Sequence, residues 1–170
     1  MLKLHCFPPD QPRQGHYAVT AGGQRADVIS TSAGEVVSAE ADAPVEVVVR
    51  TSQPWREVAV RPLRLGVDAD VSGKVLRLKV PAPANLVVQS QGQPDLFLYF
   101  LPPADPPVGL AAKGCRVFAA GRRHEVGTLD LASGDSVFLE GGAVLVGRIR
   151  ARHAEGVRIA RAVCERLALP

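Results

Sequence analysis

Aromatic side chains are scarce in this chain: one Trp, two Tyr and five Phe account for 5% of its 170 residues. So few rings do not suggest a broad stacking platform for a ligand. Cysteine is scarcer still. Cys6, Cys115 and Cys164 are odd in number and far apart, which fits neither a disulfide framework nor the spacing of zinc ligands. His5, His16, His124 and His153 do not cluster either, so neither a metal nor another cofactor is expected. An excess of one charge is also missing. With 20 basic and 17 acidic residues, the field of the chain alone implies no nucleic-acid or membrane partner. No apolar run reaches the roughly 18 residues of a membrane span. The first ten residues lack the apolar centre of a signal peptide and break at Pro8. A soluble chain is expected, and its compartment is not written in the sequence. Phosphate-cradling Gly loops and nucleophile elbows are likewise missing.

What the chain has is β signal. Hydrophobic residues make up 46% of it, enough for a core without covalent staples at this length. Between Tyr17 and Leu101, the runs 45–50, 58–61, 75–80, 86–88 and 96–101 are short, rich in β-branched, Leu or aromatic residues, and bounded by turn formers. Leu76, Leu78 and Val80 alternate with Arg77 and Lys79, the period of a half-buried antiparallel strand. Ser72-Gly73 and Gln91-Gly92 read as tight connections. This spacing predicts a β-sandwich over 1–103. Four prolines between Pro102 and Pro107 suit a stiff, extended segment, and 104–107 is read as a linker. Beyond it the runs 116–119, 127–131, 136–139, 144–150 and 156–159 are separated by Gly-containing or polar turns, as the faces of successive β-helix coils would be. Ala160, Val163, Cys164 and Leu167 fall at helical spacing, predicting a short terminal helix that caps the last coil of the 108–170 region.

These residues resemble the N-terminal part of polygalacturonase-like and dextranase-like glycoside hydrolases, the pectin-lyase-like β-helix superfamily. The landmarks are His16-Tyr-Ala-Val-Thr with Gly23-Gln, Val60-Arg-Pro-Leu-Arg-Leu-Gly66, the Leu96–Phe100 run before the prolines, His124-Glu-Val-Gly127, and Ser133-Gly-Asp-Ser-Val-Phe-Leu-Glu-Gly-Gly-Ala-Val144 followed by Gly147-Arg-Ile-Arg-Ala151. The resemblance implies an all-β fold: an N-terminal antiparallel β-sandwich followed by the first coils of a right-handed parallel β-helix. The family's catalytic aspartates, its Gly-His-Gly segment and its Arg-Ile-Lys segment lie on later coils and have no counterpart here. Gly134-Asp135 belongs to a first-coil turn.

The remaining polar residues offer a few candidates for chemistry. Hydrolysis of a glycosidic bond by inversion needs two carboxylates about 6.5–9.5 Å apart. Asp68 and Asp70 could share a face, but their turn-rich surroundings favour bonds to their own backbone. Asp130 and Asp135 flank a turn and read the same way. His124 and Glu125, beside Arg122 and Arg123, could form an acid–base pair. Neighbours on a strand diverge, however, and a satisfied structural His fits better. Trp55 with Arg56 could receive a sugar ring if exposed, against the commoner fate of Trp in a core. Tyr99 reads as core. Arg148, Arg150 and Arg152 alternate with Ile149, Ala151 and His153, with Arg158 a candidate fourth, so they form either an anion-binding face or a solvated one. The expected function is a non-catalytic accessory portion of a carbohydrate-active hydrolase, with Trp55, Arg148 and Arg150 as ligand-binding candidates. A stand-alone carbohydrate-binding or self-assembling module is the alternative. The expected partners are a polysaccharide and a second copy of the chain at the coil end.

Overall fold

The computed structural model describes residues 1–103 and 115–160. Within these, nearly all regular structure is β. The chain divides into two compact units, Met1–His5 with Gln11–Pro103, and Cys6–Asp10 with the chain from Ala104 onward. The expected linker at 104–107 and helix beyond Ala160 lie outside the described residues.

In the first unit two sheets form a sandwich. One sheet carries β1 (Leu2–Leu4), β4 (Ile29–Thr31), β5 (Gly34–Ala41), β7 (Ala59–Arg61), β10 (Ala84–Gln89) and β11 (Leu96–Leu101). Their order is β1-β5-β11-β10-β7, with β4 on β5. The other sheet runs β3-β2-β6-β9-β8, from β2 (Tyr17–Ala21), β3 (Gln24–Arg25), β6 (Val45–Thr51), β8 (Ala69–Ser72) and β9 (Val75–Val80). Pairing is antiparallel except between β5 and β11, which run parallel. The alternation seen in the sequence is realised in space. Val47 faces Leu78 and Val49 faces Leu76 across β6 and β9, with Glu46 and Arg50 turned to solvent. Opposite them Leu86 pairs with Leu98 and Val88 with Leu96, all fully buried. Removing these side chains from water is the main force holding the sheets together, at about 25 cal/mol per Å².

Strict alternation also corrects one expectation. Leu96, Leu98 and Phe100 point into the sandwich, so Tyr99 points away from it with Phe97 and Leu101. Tyr99 is half-buried there, its ring 6.2 Å from that of Phe97, and burial raises its phenol pKa.

The second unit is a stack of parallel coils. One face consists of β12 (Cys115–Phe118), β14 (Ser136–Leu139) and β16 (Arg158–Ala160). The other consists of β13 (Arg123–Leu131) and β15 (Val144–Ala151). The ladders are in register: Cys115 meets Ser136, which meets Arg158, so one coil takes 21 or 22 residues. Turns stack as well. Val144 N–H donates to Arg122 O at 3.0 Å, and Gly134 N–H to Glu155 O at 2.8 Å. Leu129, Leu131, Val137, Leu139, Ala143 and Leu145 form the buried interior. Gly147 sits over the bulge between Glu125 and Gly127, where a Cβ would lie 2.6 Å from the Gly127 oxygen. No side chain fits there.

Candidate functional site

The outward face of the β13–β15 sheet carries the sequence's arginine candidates. Inward Leu129 stacks on Ile149, and the alternation places Thr128 beside Arg148 and Asp130 beside Arg150 on the outside. Arg150 grips Asp130 through both carboxylate oxygens, Nε on Oδ1 and Nη2 on Oδ2, the latter at 2.9 Å. Such forked pairing is the strongest geometry available to a guanidinium. The hydrogen bond from Arg150 holds the Asp130 carboxyl below its ordinary pKa, reinforced by the charges of Arg150 and Arg152, and Asp130 in return raises Arg150. Arg150 therefore spends its fork inside the stack. Arg148 and Arg152 are exposed and make no hydrogen bond with a described residue. Arg158 does not join them, because β16 pairs with β14 in the other sheet.

The remaining candidates are dispersed. Trp55 is 7% exposed and stacks on Tyr17 at 5.6 Å between ring centroids, so it offers no face to a sugar. Its indole N–H is buried without a partner among the described residues. The ring's large apolar area outweighs that one polar atom, which corrects the exposed reading. Asp70 lies in β8 and meets Arg77 across the strands at 3.7 Å, instead of bonding its own backbone, while Asp68 precedes the strand and is exposed. Asp135 does close its turn, accepting from Ala132 N–H at 3.0 Å. His124 and Glu125 diverge: His124 Nε2 bonds the Ala119 carbonyl at 3.0 Å with its ring edge-on to Phe118, and Glu125 bonds Arg123 at 3.2 Å. No two of these acids face each other across a groove. Among the described residues no group of three His, Cys, Asp or Glu converges as metal ligands do. No described helix is long and apolar enough to cross a membrane.

Two buried polar networks escaped the sequence reading. Glu35, 1% exposed, accepts from His16 N–H at 3.1 Å, from His16 Nδ1 at 2.9 Å and from Tyr17 N–H at 3.2 Å. The Tyr17 hydroxyl donates to the Pro94 carbonyl, and burial, then Glu35 and Asp95, push its pKa up to about 12. The only signal was a glutamate in phase with Val37, Ala39 and Ala41 on the apolar side of β5. His5 lies 3.0 Å from Ser38 Oγ and 3.2 Å from Glu40 Oε1. That order of contacts is the one a hydrolytic triad uses, yet the three residues are 3%, 3% and 5% exposed. With no opening to a substrate, the trio acts as a satisfied buried network.

The architecture is thus that of an antiparallel-type β-sandwich joined to the first coils of a parallel β-helix. Dex49A from Penicillium minioluteum, a dextranase with a β-helix glycoside hydrolase fold, has a similar solved structure, with a TM-score of 0.53 at 13% identity. The match covers 91% of this chain and 51% of that one, so this chain spans about half of its length. At that identity the likeness shows the fold. No family model matches the chain, and no curated protein does.

Proposed function

We propose that this chain acts as the non-catalytic N-terminal accessory part of a carbohydrate-active hydrolase: a rigid sandwich followed by coils on which further parallel coils stack. The observation that carries the reading is the in-register ladder of the second unit, which among the described residues ends in strands paired on one side only. Ile159, in phase with inward Val137, is 44% exposed there. Such an edge is a template for another strand. The carboxylates support the reading from the other direction, since Asp70, Asp130, Asp135, Glu35 and Glu125 are all held in ion pairs, turns or buried networks.

The reading is tested by incubating the chain with dextran and with polygalacturonate and measuring reducing ends. No release above a heat-treated control is expected. Release that disappears in Asp130→Asn or Asp68→Asn would overturn it. The second reading, a polysaccharide-binding or self-assembling module, draws on uncommitted Arg148 and Arg152. It predicts retention on an acidic glycan column that Arg148→Gln abolishes while the melting temperature holds.

A further inference from the structure

The first unit contains a cleft of about 300 Å³ whose lining includes none of the ligand candidates named above. Its floor is the antiparallel pair Ala84 and Phe100, 9% and 1% exposed, fixed by the β10–β11 ladder. One wall is the single 3₁₀ turn Leu63–Leu65, stopped by Gly66 in the left-handed region at φ 56°. Pro62, Leu65 and Leu101 give the walls an aliphatic lining. Within that turn Leu63 is 70% exposed, the most exposed large hydrophobic residue among those described.

Among the described residues two side chains with polar groups line the cleft, Arg64 and Asn85. Both are exposed, and neither has a hydrogen bond or ion pair with a described residue. Among the described residues the lining contains no acid to neutralise the guanidinium. An aliphatic hollow with one free guanidinium and one free amide can bury an apolar body while its fork takes a carboxylate. Proline and strand backbone line it, so little ordering is needed on binding.

We propose that this cleft binds a small organic carboxylate with an apolar body, Arg64 holding the carboxylate and Asn85 supplying a second hydrogen bond. The site stands apart from the accessory reading and does not depend on it. The volume is at the lower limit for ligand pockets, which suits one ring and its acid group.

The test is an NMR titration of the full isotopically labelled chain with benzoate and with its neutral isostere benzamide. Benzoate is expected to give saturable shifts at Arg64, Asn85 and Leu101, with benzamide binding about tenfold more weakly or less, as loss of a charge-assisted bond requires. Arg64→Gln should bring benzoate down to the benzamide level without moving the melting temperature, and Asn85→Ala should weaken benzoate by a smaller factor. Absence of saturable shifts, shifts centred elsewhere, or equal affinity for the two probes or for wild type and Arg64→Gln would each overturn the proposal.

Discussion

The two units solve the same problem in different ways. The sandwich hides its apolar side chains between two sheets built mostly of antiparallel neighbours, such as β8, β9 and β6, with one parallel pair, β5 and β11. The coil stack hides its interior inside each turn of chain, so every rung depends on the rung above and below it. Twenty residues form the buried cluster of the sandwich and six that of the described coils. A sandwich can be finished by itself, whereas a coil is finished only by another coil. Exposed Ile159, in phase with inward Val137, marks the last described rung of the stack, as exposed Val71, in phase with buried Leu76, marks the edge strand β8 of the sandwich.

Breaking the sandwich should have the largest effect. Trp55→Ala empties a site in its core and should cost about 3–5 kcal/mol, read by denaturant unfolding. A loss below 1 kcal/mol would mean that the ring is a surface feature. The corresponding break in the stack is Gly147→Ala. Its Cβ would press on Gly127, and a cost of about 1–3 kcal/mol is expected, confined to coil resonances in an NMR comparison. Changes spreading equally through β6 and β9 would contradict a cost that stays within the coils.

How much of this was legible follows from the same contrast. Runs whose apolar residues alternate, such as Val75–Val80, announced both their strand and their face, and Leu96–Leu101 and Ser136–Leu139 were bounded correctly. β5 was not recognised. It carries Glu35, Ser38 and Glu40 at buried positions, so its sequence looks neither alternating nor continuously apolar. The partners that satisfy those groups, His16 and His5, lie far along the chain and leave no local trace. Tyr99 was misplaced because an all-apolar run gives no phase. The arginine face was legible from its period, but the pairing of Arg150 with Asp130 was not, since it joins residues one coil apart.

Two pH effects sharpen the comparison further. Tyr17 has its folded pKa raised to about 12, so its contribution to stability is present below the unfolded value of about 10 and is lost as pH rises through about 12. Ultraviolet titration should find one phenol ionising there, and ionisation of Tyr17 near 10 in the folded chain would rule out the buried network. Asp130 has its folded pKa lowered by Arg150, so its contribution is present above the unfolded value of about 3.9 and is lost as pH falls through the lowered folded value. The pair lies at the surface, so Asp130→Asn should lower coil stability only slightly, and added salt should shrink the difference. A difference that persists in high salt would show a buried role instead.

Amide hydrogen exchange across the whole chain tests the central contrast most directly. Amides of β6, β9, β10 and β11 should exchange slowest. Those of β14, held between β12 and β16, should come next, and those of β16, paired on one side, should exchange fastest. Protection in β16 equal to that in β9 would contradict the account, because the last described rung would then be as complete as the sandwich.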